Sequence, residues 1–274
     1  VVTKVGLGGN IVRYAVLGTI LAAMLFPFGW MVRVSLMESG SLSGLGLFSG
    51  SFTFNNYTEL FAQTNMGRYF FNSILVGLVV TLGNLLFGFM VAYTLARYQN
   101  LPNKILFFTV IIILMIPAHI IIIPLYLLAV KAKIYDSYWA LILPWLVNPI
   151  GIFLMKQYIE SIPRSMEEAA RIDGAGELRI LFTVVMPLCK PAMAVLAIQV
   201  FFTNWNSFLF PYILTQSESV RTLPVGLAML QGHQAIDWQH LMAGSTVAVL
   251  PVLILFIFLQ RRIVSGITAG AIKQ

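Results

Sequence analysis

The run Tyr69–Ala96, YFFNSILVGLVVTLGNLLFGFMVAYTLA, contains no Asp, Glu, Lys or Arg. A bilayer's hydrocarbon core is about 30 Å thick and needs roughly 20 residues of helix to cross it, so this run is long enough. Inside lipid each backbone amide must be satisfied within its own segment or in a closed barrel. The alternating pattern of a membrane barrel is absent, which leaves helix. The rest of the chain agrees: of 274 residues 59% are hydrophobic and only 10% charged, with a mean hydropathy of +0.87. A typical soluble domain carries roughly 25% charged residues. This chain cannot cover itself with charge, and it reads as an integral membrane protein.

Working outward, six apolar segments are predicted as membrane-crossing helices in a single domain covering residues 1–274. They are Ile11–Leu36, Tyr69–Ala96, Ile105–Val130, Ser137–Tyr158, Val184–Leu214 and Leu241–Leu259. The apolar run Tyr14–Val32 is longer than the h-region of a signal peptide and is expected to be a retained first span. A net charge of +7 and a pI near 9.6 raise the question of nucleic acid. In a membrane protein, Lys and Arg collect in cytoplasmic loops instead. With the N-terminus inside, twelve of the 17 Lys and Arg fall on the cytoplasmic side. Both termini are therefore expected in the cytoplasm, although Lys131 and Lys133 lie in a short outer loop. The outer segment Met37–Gly67 includes Asn56-Tyr57-Thr58, which matches a short glycosylation acceptor pattern.

The longest inner connection, Glu160–Phe182, differs from the rest. Together with Lys156 just before it, it holds nine of the chain's charges between two very apolar spans. Ser165 followed by Glu168 has the spacing of a capping box at a helix start. Gly174 suits the left-handed position that ends a helix. Between them fits a helix of about eight residues, some 12 Å long. Such a helix either rests on its own bundle and the lipid headgroups or docks a cytoplasmic partner. Ala169 and Ala170 would allow close approach, and the charges around them would set its orientation.

Glu168-Ala169-Ala170, Gly174, Val184, Met186 and Pro187 have the spacing of the EAA motif of ABC importer permeases, with Val and Met where that family more often has Ile and Leu. Further segments resemble the carbohydrate, maltose-type branch of that family. These are Phe52–Phe61, Asn72-Ser73, Ala92–Arg97, Met115-Ile116-Pro117 and Pro124-Leu125-Tyr126, then Ile162-Pro163, Pro187-Leu188 with Pro191-Ala192, Trp205-Asn206, and the tail Gly266–Lys273. The resemblance covers nearly the whole chain. It implies an all-α permease of the type I ABC importer fold, with six spans and a cytoplasmic coupling helix at Ser165–Asp173 turned by Gly174. The ATPase-coupling residues it implies are Glu168, Ala169, Ala170, Arg171, Asp173 and Gly174, and the tail Gly266–Gln274 is expected to reach the ATPase pair as well. The implied partners are a second, homologous permease subunit, two ATP-binding cassette ATPase subunits, an extracytoplasmic solute-binding protein, membrane lipid and a carbohydrate or polyol substrate. The implied location is the plasma membrane of a prokaryote.

The chain's own chemistry is consistent with a passive subunit. A P-loop needs Lys followed by Ser or Thr. None of the seven lysines is followed by either, so ATP and Mg belong to partner subunits and no cofactor is expected here. Cys189 is the single cysteine, and His119, His233 and His240 make no metal-ligand spacing. Polar residues within spans are expensive. Asn204, Trp205 and Asn206 either bond neighbouring helices or line the translocation path, where Trp stacks on a sugar face and Asn bonds its hydroxyls. His119 reads as a packing residue beside a proline kink, because no carboxylate lies within any span to form a relay. That absence also weakens the alternative, an ion-coupled secondary transporter of a small polar solute. No nucleophile with its base is visible, and the chain is not read as an enzyme.

Overall fold

A computed structural model of the chain describes residues 7–38, 51–230 and 237–271, with side chains described up to Phe258. The fold is helical. In chain order the helices are α1 (Leu7–Ser35), α2 (Asn55–Gln63), α3 (Met66–Arg97), α4 (Leu101–Met115) and α5 (Ala118–Lys131). They continue with α6 (Tyr138–Glu160), α7 (Ser165–Ile172), α8 (Glu177–Leu188) and α9 (Lys190–Trp205). The last are α10 (Leu209–Leu214), α11 (Leu223–Met229) and α12 (Trp238–Ala271). Lys4, His233, Lys273 and the end of the tail lie outside the described residues, as do the side chains of Gly266–Ala271.

Among the described residues, four helices are long and apolar enough to cross a bilayer in one piece, within α1, α3, α6 and α12. Two further pairs are bent, α4 with α5 by 96° and α8 with α9 by 81°, and the number of spans reaches six when each pair is one crossing. The expected third and fifth spans are therefore not straight. Proline explains both breaks. Ile116, preceding Pro117, is driven out of the helical region to φ −88°, ψ 120°. At the second break Pro187 and Pro191 flank Cys189, and each removes a backbone donor. The expected Val184–Leu214 span also stops early: α9 ends at Trp205, and a separate short helix follows.

Contacts group the chain into two compact units, one of Val1–Met66 with Leu227–Leu250, the other of Gly67–Gly226 with Pro251–Gln274. In the first, most apolar side chains of α1 stay exposed among the described residues, while Val34 near its end is buried. Ile11, Met24 and Phe26 are 65%, 67% and 66% exposed, a pattern that belongs in lipid or against another membrane subunit. The C-terminal end of α1 is fixed by Asn56, whose Nδ2 donates to the carbonyls of Ser35 and Met37, both at 2.8 Å. Both amide hydrogens are spent and the residue is buried. The glycosylation match at Asn56 is thereby corrected, since the nitrogen that a glycan would join is inside the structure.

The second unit is built around α3 and α6. Both helices carry an irregularity, and the two meet. α3 contains a π-helical turn at Asn84–Gly88, and α6 is interrupted by a 3-10 turn at Leu143–Trp145 that contains Pro144. Gly83 lets them approach: a Cβ there would lie 2.4 Å from Cδ2 of Leu146. Small residues with a polar side chain beside them are a common way for membrane helices to join. Here the polar residue is Asn84, buried, with its Nδ2 donating to the carbonyls of Val80 and Trp145. Further along α6, Gly151 gives the same close approach to Leu196 of α9.

Candidate functional site

The short charged helix expected from the sequence is present as α7. Its beginning differs from the expectation. Ser165 is its first helical residue and makes no capping bond; the amides of Glu167 and Glu168 both donate to the carbonyl of Arg164. The chain enters the helix through a turn after Pro163, so the Ser165–Glu168 capping box does not form. The end follows the expectation. Gly174 has φ +79°, its amide donates to the carbonyl of Arg171, and the amide of Ala175 reaches back to the carbonyl of Ala170 at 2.9 Å. This paired pattern is the Schellman motif, which satisfies the otherwise orphaned carbonyls of a last turn.

Successive helix residues point about 100° apart, so the adjacent carboxylates Glu167 and Glu168 point to different faces. Glu168 is exposed, whereas Glu167 is buried. Glu167 Oε1 lies 2.6 Å from Nε of Arg97, at the last turn of α3, with side-chain exposures of 2% and 6%. The hydroxyl of Tyr93, one turn earlier on α3, donates to Glu167 Oε2 at 3.1 Å. Arg97 also donates to the carbonyl of Ile162 at 3.2 Å. A second, wetter link runs alongside: Arg171 Nε donates to Glu177 Oε1 at 2.9 Å, and Tyr98 donates to Glu177 Oε2 at 3.0 Å. Glu177's hydrogen bond holds the Arg171 guanidinium above its ordinary pKa. Burial, then the bond to Glu177, raises the Tyr98 phenol as well. Each therefore keeps its donated proton at neutral pH.

The opposite face of α7 is bare. Met166, Ala169 and Ile172 follow at three-residue spacing and form a row on the outward side, with Met166 46% and Ile172 87% exposed. Glu168, Asp173 and Gly174 are also exposed, and Leu178 beyond them is 65% exposed. The two alanines separate: Ala169 faces out, while Ala170 packs against the chain's own core. The structure thus brings the motif residues to one segment and adds Arg97, Tyr93, Glu167 and Glu177, which spacing alone had not singled out.

The polar group at the end of α9 also separates. Trp205 is 3% exposed, stacked on Phe201 with centroids 5.8 Å apart and edge-on to Phe70 at 5.6 Å. In this arrangement it is a packing residue. Asn206 closes the helix, is exposed, and returns its amide to the carbonyl of Phe202 at 2.8 Å. Asn204 donates to Val200 within its own helix and lines a small pocket with Ser73, Trp145, Ser207 and Thr222. The Thr222 hydroxyl oxygen is buried there with no partner among the described residues. Ser207, Trp145 and Thr222 carried no signal of their own in the sequence, because two lie in connections and one beside a broken span. His119 sits exposed in the turn that opens α5, its ring 6.1 Å from that of Phe210.

Comparison with known proteins gives the family. Residues 84–269 match the family described as "Binding-protein-dependent transport system inner membrane component". The chain is 37% identical over 254 residues to the arabinooligosaccharides transport system permease protein AraQ of Bacillus subtilis, covering 91% of this chain and 90% of the relative. It is 32% identical to the trehalose/maltose transport system permease protein MalG of Thermococcus litoralis, covering 94% and 95%. It is 34% identical to the melibiose/raffinose/stachyose import permease protein MelC of Bacillus subtilis, covering 93% and 95%. Among solved structures, a chain of a bacterial ABC transporter involved in the import of the acidic polysaccharide alginate superimposes with a TM-score of 0.81 at 24% identity, covering 92% of this chain and 95% of that one. A second structure, of an alginate ABC transporter in complex with an alginate pentasaccharide-bound periplasmic protein, gives a TM-score of 0.65 at 16% identity and covers 92% and 94%. These two show a shared fold. The ion-coupled transporter alternative is set aside by the family match and by the similarity to permease proteins of sugar transport systems. The chain belongs to the binding-protein-dependent transport system inner membrane components and is a multi-pass, non-catalytic permease subunit of an ABC importer.

Proposed function

We propose that Ser165–Gly174 is the segment through which this permease docks on a cytoplasmic ATPase subunit. Glu168, Ala169, Asp173 and Gly174 form the docking side, with Ala170 and Arg171 bracing it from behind. The observation that carries this reading is the outward row Met166, Ala169 and Ile172 on a helix whose other face is tied down by Glu167. Met166 and Ile172, exposed in one row on a charged loop, leave an apolar strip of the kind that marks an interaction site. Both termini then lie in the cytoplasm, in accord with the distribution of Lys and Arg. The full assembly consists of this chain, a second homologous permease, two ATPase subunits and an extracytoplasmic solute-binding protein.

The solute is a carbohydrate, as the names of the relatives suggest. Its path runs past Asn204 and Asn206, with Ser73, Ser207 and Thr222 offering hydroxyls. Trp205 joins that path only when its packing on Phe70 and Phe201 opens. The test is co-purification from detergent of the tagged chain with its transporter subunits, repeated with 165–174 replaced by a flexible linker. An ATPase subunit that accompanies the parent and is lost from the linker variant supports docking at this helix; equal recovery in both refutes it.

A further inference from the structure

We infer that Arg97 and Glu167 form a rigid joint that carries the movement of α7 into α3, so that the pair positions the docking helix and couples ATP hydrolysis to solute movement. This rests on the docking reading above and names residues on the side of the helix that the ATPase does not touch.

α7 has eight residues, too few for a stable helix in isolation. Whatever pushes on it moves the rest of the chain through the bonds that hold it and through the packing of Ala170 on the core. Those bonds differ in stiffness. Arg171 and Glu177 are 42% and 51% exposed, so water can replace their contact at little loss. Glu167 and Arg97 are 2% and 6% exposed, so separating them strands two charges away from water. The carboxylate is held on both oxygens, by Arg97 Nε at 2.6 Å and by the Tyr93 hydroxyl at 3.1 Å. Tyr93 and Arg97 lie one turn apart on α3, so Glu167 grips that helix at two successive turns. Two points of attachment resist rotation as well as separation.

What α3 does at its other end gives the joint its consequence. The helix runs from Arg97 back to Ser73, which lines the polar pocket with Asn204 and Thr222. At 1.5 Å per residue that is about 36 Å of helix. The joint therefore stands at one end of a single strut and the pocket near the other. A docking helix whose joint is lost still offers Met166, Ala169 and Ile172 to its partner. It then moves without moving α3.

The test uses the complete transporter, reconstituted in liposomes with its solute-binding protein. ATP hydrolysis and uptake are measured for whichever of labelled arabinotriose, maltose and raffinose the parental complex transports. The variants are Arg97→Gln, Glu167→Gln and the exchange Arg97→Glu with Glu167→Arg. In the single variants the ATPase subunits still co-purify, and ATP hydrolysed per sugar taken up rises about tenfold or more. The exchange restores the ratio to within about twofold of the parent. An unchanged ratio in the single variants overturns the joint, as does an exchange variant as uncoupled as they are. If the single variants do not assemble, the exchange decides alone: a parental ratio supports the joint, and hydrolysis without uptake overturns it. Absence of ATPase subunits from the parental complex overturns the docking reading itself, and this inference with it.

Discussion

Oδ1 of Asn84 accepts the backbone amide of Asn148 at 2.7 Å, while Nδ2 of the same side chain donates to the carbonyl of Trp145 at 2.8 Å. One buried side chain thus supplies both a donor and an acceptor to the interrupted backbone of α6. Without it, both groups would lose their partner at a half-buried position. The interruption and the asparagine are one device, and the nearby Gly83 lets the two helices come close enough to use it.

The first prediction concerns that device. Asn84→Ala removes the partner of two half-buried backbone groups and should destabilise the protein by about 1–3 kcal/mol. Thermal unfolding in detergent, followed by size-exclusion fluorescence, reads the effect. A melting temperature equal to the parent's would show that the interruption is satisfied in another way.

A second prediction separates backbone strain from crowding. A Cβ on Gly174 would meet nothing within 4 Å, so only the φ of +79° opposes substitution. Gly174→Ala should cost about 1–2 kcal/mol locally, and Gly174→Asn less, because Asn tolerates this region. A bulky residue such as Trp should leave the permease in the membrane yet abolish uptake by blocking the docking face. Normal uptake by Gly174→Trp would count against that face being a contact.

Gly226 presents the opposite case. A Cβ there would fall 2.1 Å from Cδ2 of the buried Tyr69 ring, and a ring cannot give way as an aliphatic tip does. Gly226→Ala should destabilise by about 1–3 kcal/mol, and Tyr69→Leu in the same chain should recover part of the loss. Simple additivity in the double-mutant cycle would contradict the contact.

The connection after α5 makes a pH-dependent prediction. Asp136 has φ 56°, its amide donates to the carbonyl of Leu214, and its Oδ1 accepts from the amides of Gln216 and Ser217 at 2.8 and 2.9 Å. Burial alone would raise its pKa, but those bonds outweigh it and hold the carboxyl below its ordinary range. A lowered folded pKa contributes stability that is complete above the unfolded value, about 3.9, and is lost as pH falls through the folded one. Asp136→Asn should therefore flatten the acid side of the stability profile below about pH 4. An Asp136→Asn profile parallel to the parent's there would contradict this. Asp136→Ala should be less stable than Asp136→Asn at neutral pH, because Ala loses both the acceptor and the tolerance for positive φ.

Most of the helices were legible in the sequence, since hydropathy reports what must be kept from water. Hydropathy carries no direction, however, so the 96° and 81° bends were hidden inside runs that looked continuous. Pro117, Pro187 and Pro191 were visible, but nothing in a single chain says whether a membrane proline kinks a span or breaks it. The charged loop was legible down to Gly174, whose left-handed role follows from its lack of a Cβ. Its anchor was not. Spacing pointed to Glu168, while the neighbouring Glu167 turned inward to meet Arg97, a residue 70 positions away. Which of two adjacent carboxylates faces the bundle depends on the helix's rotation, and that is set by packing. Trp205 is a further case: its position beside two asparagines left packing and lining both open, and in the structure it packs on Phe70 and Phe201.

Docking through α7 is tested most directly by cross-linking in the assembled transporter. Cys189, the single native cysteine, is fully buried and stays out of the reaction. Ala169→Cys and Ile172→Cys, each labelled through its thiol with a short photoactivatable reagent that inserts into any neighbouring C–H bond, should each give an adduct with an ATPase subunit on illumination. Leu106→Cys, exposed on the apolar α4, should give none. If both α7 variants keep normal uptake and yield no ATPase adduct, the docking helix is elsewhere and the account's central claim is wrong.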